Sequence, residues 1–137
     1  MIKHLSHACY SSPDLARTVE FYRDVLGGRV IHAFVNSDGE RYGVFMEIGD
    51  ETFLEFFQVP QQPPEGGLLR HICFEVTDIH KWADHLRSMG FSVEPARSRS
   101  DKTLQCWIED PDGNKIEFHQ IDHESLIRQS LDANPRG

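Results

Sequence analysis

The chain has 137 residues, with 14 basic and 22 acidic side chains giving a formal charge of −8, and is the size of one ordinary domain. Roughly two-thirds of the surface of an unfolded chain this long is buried on folding, so neither a disulfide nor a metal is needed merely to fold it. The acidic balance excludes nucleic-acid binding through a basic surface, and no apolar run approaches the roughly 18 residues of a membrane span.

The first residues run straight into a strand-like pattern, without the long apolar region of a signal peptide. Cys9, Cys73 and Cys106 form no C-x-x-C pair, so they read as reduced thiols of a cytoplasmic protein, packed as small apolar groups. An apolar-rich run at residues 2–10 predicts the first strand. Ser12 is the expected cap of the helix that follows, with Pro13 at its first position. Leu15, Val19, Tyr22, Val25 and Leu26 give that helix, residues 15–26, an apolar stripe, and Gly27 closes it. Turn signals at 36–39 and 49–50 divide the next stretch into strands. Residues 60–67, with three prolines and two glycines, read as an extended linker.

The pattern then starts again. An offset of 64 residues carries His7 onto His71 and Asp14 onto Asp78, and a second helix at 79–89 presents Ile79, Trp82, Ala83, Leu86 and Met89 before Gly90. Later the offset becomes 62, which lays Leu54-Glu55-Phe56 over Ile116-Glu117-Phe118 and Asp50 over Asp112. Each half therefore reads strand, helix, then three strands. The chain is an α+β domain, residues 1–121, built of two βαβββ repeats at about 2–59 and 68–121. A tail, 122–137, holds a short helix around Leu126, Ile127 and Leu131 and then a polar, disordered end.

Side chains alternate along a strand. In residues 72–76 the even positions are apolar, which leaves His71, Cys73 and Glu75 on the other face; Glu55 and Glu117 are placed alike. His7, Glu55, His71 and Glu117 thus occupy equivalent positions in two copies of one motif. On a pseudo-two-fold axis, two imidazoles and two carboxylates repel or bind protons unless a divalent cation sits among them. Glu47 and Glu75 are spare strand carboxylates, and Glu47 could replace Glu55. His119 shares the parity of Glu117, but its repeat partner is Phe57, so a supporting or exposed role is expected. His4, His32, His80, His85 and His123 are expected on surfaces.

The double βαβββ pattern, the helix Pro13-Asp14-Leu15-Ala16-Arg17-Thr18-Val19-Glu20-Phe21-Tyr22 and the turn-strand Glu109-Asp110-Pro111-Asp112-Gly113-Asn114-Lys115-Ile116-Glu117 resemble the vicinal oxygen chelate superfamily over about residues 2–121. Within it, they are most similar to glyoxalase I-like proteins. The resemblance implies the glyoxalase/bleomycin resistance/dioxygenase fold, a cupped mixed sheet holding one divalent metal that chelates two neighbouring substrate oxygens. Dioxygenases and fosfomycin-resistance proteins of the superfamily present two His and one Glu. The additional Glu55 resembles the bacterial glyoxalase I set, and the short chain resembles the bacterial type that prefers nickel or cobalt, with zinc, manganese and iron open.

The implied reaction is that of a lyase or isomerase: proton transfer next to a carbonyl through a metal-bound enediolate, with Glu117 as base and Glu55 as its competitor. Phe53 and Phe57, sharing the parity of Glu55, would dry the pocket. The resemblance also implies a homodimer with the site shared between chains; a monomer joining its own halves stays open. Glyoxalase I has an Arg and an Asn that grip glutathione where this chain has Ser11 and Val59, so a small substrate other than the glutathione hemithioacetal is expected. Arg41, Arg97, Arg99 and Lys102 are candidates to meet an anionic group on it. A methylmalonyl-CoA epimerase-like isomerase, an extradiol dioxygenase and a non-catalytic drug- or metabolite-binding protein are the alternatives.

Overall fold

A computed structural model of the protein describes residues 5–61, 71–98 and 100–133. The chain divides into two compact units, Met1–Gly66 and Gly67–Gly137. The first contains β1 (His7–Ser12), α1 (Leu15–Asp24), β2 (Arg29–Val35), β3 (Arg41–Glu47) and β4 (Phe53–Gln58). The second contains β5 (Ile72–Glu75), α2 (Ile79–Ser88), β6 (Arg97–Ser98), β7 (Leu104–Glu109), β8 (Lys115–Gln120) and α3 (Leu126–Ala133). Their four-stranded mixed sheets have the same topology, β1-β4-β3-β2 and β5-β8-β7-β6. In each, the strand before the helix pairs in parallel with the last strand, and the other pairs are antiparallel. The repeated strand-helix-three-strand reading is thus the observed architecture. Most of the expected linker and the end of the tail lie outside the described residues.

Strand parity decides which face is dry. Val44, Met46, Leu54 and Phe56 in the first unit are all buried, as are Cys106, Ile108, Ile116 and Phe118 in the second. Every one is even-numbered, so one face of each sheet is apolar and the odd-numbered residues stand on the other. Helix α1 supplies Leu15, Val19 and Tyr22 to the dry side, with the Tyr22 ring 4.7 Å from that of Phe56. Helix α2 supplies Ile79, Ala83 and Leu86, and Trp82 lies 5.3 Å from Phe118. Full burial of each large side chain stabilises the fold by about 2 kcal/mol. Strand β2 departs from the simple alternation: its register slips between Val30 and His32 and again between Phe34 and Val35.

The start of α1 differs from the sequence expectation: the helix begins at Leu15, so Pro13 precedes the cap instead of occupying the first helical position. Asp14, not Ser12, caps α1, its carboxylate accepting from Arg17 N at 3.0 Å, as Asp78 accepts from Lys81 N in α2 at 3.1 Å. Ser12 is still part of β1, and its fully buried hydroxyl is bonded to Thr18 Oγ1 at 2.8 Å. An anionic cap also suits the positive end of the helix dipole better than a hydroxyl. Gly27 and Gly90 follow the helices at φ +71° and +93°, a conformation other residues adopt only with strain.

The repeat extends to single hydrogen bonds. Leu15 N donates to Gln58 Oε1 at 2.9 Å, and Ile79 N donates to Gln120 Oε1 at 3.0 Å. The first N–H of each helix is thereby tied to the end of the last strand of its unit, where a helix has no partner of its own to offer. Replacing Gln120 by Ala leaves the Ile79 N–H without that acceptor. A loss of about 1–2 kcal/mol in urea unfolding is expected for this variant, and an unchanged midpoint would show that the tie contributes nothing.

Candidate metal centre

The hairpin between β7 and β8 explains why Asp-Pro-Asp-Gly-Asn stands just ahead of Glu117. Asp110 is buried, and its carboxylate accepts from Asp112 N and Asn114 N, both at 2.9 Å, and from Asn114 Nδ2 at 2.8 Å. Gly113, at φ +82°, lets the chain reverse. The turn fixes where β8 begins and therefore where Glu117 points.

In the second unit Glu117 is only 8% exposed, and its Oε2 lies 3.0 Å from Nε2 of His71. The His71 ring rests edge-on against Trp107 of β7, with centroids 4.8 Å apart. The first unit repeats the arrangement: His7 Nε2 lies 4.0 Å from Glu55 Oε1, and the His7 ring sits edge-on to Phe45 at 5.2 Å. The register is equivalent as well, since Glu55 pairs with Phe45 and Cys9, and Glu117 pairs with Trp107 and Cys73. His7 is thus brought to Glu55 in the first unit and His71 to Glu117 in the second.

These donors fit a divalent cation. Two ligand atoms about 2.1 Å from a metal and at right angles stand about 3.0 Å apart, which is the His71–Glu117 separation. The His7–Glu55 gap of 4.0 Å lies between that value and the roughly 4.2 Å of ligands on opposite sides of the ion. A nearly buried carboxylate also requires a partner, and an imidazole beside a cation supplies one.

Glu47 is engaged by Arg29, its Oε2 accepting from Nε at 2.6 Å, so it does not replace Glu55. Phe53 stands on the Glu55 side and stacks on Phe45 at 5.3 Å, while Phe57 packs against Phe34 at 5.1 Å. Ser11 is an exposed residue further along the strand of His7 and Cys9, and Val59 N donates to Ser12 O at 2.9 Å. Arg97 lines a cavity of about 310 Å³ together with Glu94, Gln105 and Trp107, and pairs with Glu94 at 3.6 Å. Arg41 and Lys102 are exposed, as are His32, His80, His85 and His123. Arg99 and His4 lie outside the described residues.

The cysteines require a correction. Cys106 is buried among apolar groups, but Cys9 and Cys73 are exposed on the odd-numbered face beside Glu55 and Glu117. The alternation of β1 and β5 carried that signal, since both share the parity of the neighbouring histidine. Cys73, Glu117 and His119 each offer a ligand atom, and the three atoms lie within 4.8 Å of one another. His119 is therefore part of the cluster, which the comparison with Phe57 alone did not reveal. Partial burial of the thiol, and then the negative charges of Glu117 and Glu75, push Cys73 up to about 12. Burial and the Glu55 carboxylate also raise Cys9, and burial pushes Cys106 up to about 11.

A sequence profile of the Glyoxalase/Bleomycin resistance protein/Dioxygenase superfamily matches residues 4–118. The chain belongs to this superfamily. It is 30% identical over 119 residues to a lactoylglutathione lyase of Haemophilus influenzae, with 82% of this chain and 88% of the relative covered. It is 25% identical to the metallothiol transferase FosB of Staphylococcus haemolyticus, with 98% and 96% covered. Among solved structures, the fosfomycin resistance protein FosX of Listeria monocytogenes superposes with a TM-score of 0.70 at 19% identity, covering 92% of this chain and 99% of that one. Superfamily members of this kind bind divalent metals and small molecules, and no helix among the described residues is long and apolar enough to cross a membrane.

The thiolate is the reactive form of cysteine, and a pKa near 12 leaves almost none of it at neutral pH. In the metal-free protein at pH 8, Cys73 should react with iodoacetamide about a hundredfold or more slowly than free cysteine. Alkylation followed by peptide mass mapping checks this, and reaction at the rate of free cysteine would contradict the environment described.

Proposed function

We propose that the protein is a metal-dependent enzyme of the glyoxalase I type, which moves a proton between adjacent carbons at a carbonyl of a small oxygenated substrate. The observation that carries this reading is the pair of repeat-related His–Glu contacts, His7 with Glu55 and His71 with Glu117. Together these four residues would hold one divalent cation, of nickel or cobalt type. When bound, such a cation stabilises negative charge developing on a substrate oxygen. Proton movement falls to the chain's own groups. Glu117 is the base: its carboxylate takes the proton from one carbon and returns it to the next, with Glu55 as its repeat-related competitor. Trp107 and Phe45 hold the two imidazoles edge-on, and Phe45 with Phe53 shields the Glu55 side from water.

The substrate differs from the glutathione hemithioacetal of glyoxalase I. Ser11 and Val59 offer neither a charge nor an amide side chain to a glutamyl carboxylate, and an unpaired carboxylate costs several kcal/mol on the order of a lost charge-assisted hydrogen bond. Arg97, which lines the cavity beside Trp107 and is paired there with Glu94, would meet an anionic group instead. A second reading, transfer of a small thiol, is supported by the match to a metallothiol transferase over 98% of the chain.

Metal-loaded protein assayed in parallel against hemithioacetals, acyl-CoA thioesters and thiol-plus-epoxide mixtures separates the readings. Under the first reading, Glu117→Gln with the cation confirmed in place loses about 10² or more in turnover, the contribution expected of a general base. Turnover within a few-fold of the unaltered protein would remove Glu117 from that role.

A further inference from the structure

The two units differ at one position of the odd-numbered face. Both carry a cysteine on the first strand, two residues after a histidine, and a glutamate opposite that cysteine on the last strand. Two residues beyond the glutamate, however, the first unit has Phe57 and the second has His119. The phenyl ring offers no donor atom and is engaged with Phe34 and Tyr42. The imidazole does offer one, and it stands next to Glu75 and Gln105 in register. The first unit is thus an internal control: the same strand geometry with one donor removed. Among the described residues, only the second unit brings a sulfur, an oxygen and a nitrogen donor within 4.8 Å of one another.

We propose that Cys73, Glu117 and His119 form a three-donor cradle for one borderline-soft divalent cation of the zinc class, contained entirely in the second half of the chain. The inference rests on Glu117 being a metal ligand, as in the functional reading above, and adds two residues to which that reading gives no role. Thiolate, carboxylate and imidazole together are a zinc-type donor set, whereas two imidazoles with two carboxylates suit nickel, cobalt or manganese equally well. Tetrahedral ligands at about 2.0–2.3 Å stand roughly 3.5 Å apart, so closing the cluster on an ion requires a contraction of about an ångström. All three donors are side-chain ends on neighbouring strands β5 and β8, which rotamer changes can bring that far. On binding, the Cys73 S–H bond breaks, the proton leaves to solvent and the sulfur pair forms the bond to the cation. No oxidant or reductant is involved. Because Glu117 belongs to both donor sets, the two arrangements exclude each other and the chain holds one cation at a time; cobalt seated in the cradle leaves the His–Glu set of the functional reading to nickel.

Cobalt(II) added to the full chain tests the proposal by absorption spectroscopy, since a thiolate ligand produces an intense near-ultraviolet charge-transfer band that oxygen and nitrogen ligands do not. The expected result is such a band in the unaltered protein, its loss in Cys73→Ser, and its persistence in Cys9→Ser, Cys106→Ser and His7→Ala. His119→Ala should weaken cobalt binding in the sulfur-ligated form by at least about tenfold, the lower end of what a lost metal-site partner costs. Visible ligand-field bands without the near-ultraviolet band would overturn the cradle while leaving the His–Glu reading intact. A near-ultraviolet band that survives in Cys73→Ser would also overturn it. Absence of any cobalt spectrum would reject both readings.

Discussion

Glu117 is the constraint on which the rest of the structure turns. A glutamate whose side chain is only 10% exposed must have a partner, because desolvating a charge without one costs several kcal/mol. Its flanking residues, Ile116 and Phe118, are both fully buried under α2, so the strand cannot turn Glu117 toward solvent without exposing them. The sheet must therefore supply the partner on the odd-numbered face, and it supplies His71 at 3.0 Å. The Asp110 turn fixes where the strand begins, and the Gln120 bond to α2 fixes where it ends. Both ends of β8 are thus held by buried or half-buried hydrogen bonds, with the carboxylate between them.

The duplication makes the first unit a second solution to the same problem under looser terms. Glu55 is more open than Glu117, and its imidazole stands an ångström further away. The helix clamps and capping aspartates match almost bond for bond. The framework has therefore kept the repeat more closely than the faces that carry chemistry. There, Phe45 answers to Trp107 and Phe57 to His119. Divergence on the polar face of an unchanged frame is how one fold comes to serve several reactions, and it agrees with relatives that include both a lyase and a thiol transferase.

Much of this was legible in the sequence because parity and offset are one-dimensional properties. The offsets of 64 and 62 residues carry the duplication, and the alternation around Glu55 and Glu117 identifies the wet face before any coordinate is known. What failed to show depended on register or on competition between neighbours. Ser12 and Asp14 both resemble caps, and only the burial of Ser12 against Thr18 decides between them. Cys73 shares the parity of His71 in the sequence, but only β5 set beside β8 shows that it stands opposite Glu117. Along the chain His119 answers only to Phe57 of the other repeat, whereas its neighbours across the sheet determine what it can bind. The slips in β2 break the alternation with no proline or glycine in the strand itself, although Gly43 of β3 stands opposite Phe34 at the second slip.

The account stands or falls on Glu117 as the shared anchor of the cation. Calorimetric titration of zinc, cobalt and nickel into the unaltered protein and into Glu117→Ala tests this directly. One ion per chain in the unaltered protein, and at least a hundredfold weaker binding of every ion in the variant, is the predicted result. Undiminished affinity in Glu117→Ala, or two ions per unaltered chain, would contradict it.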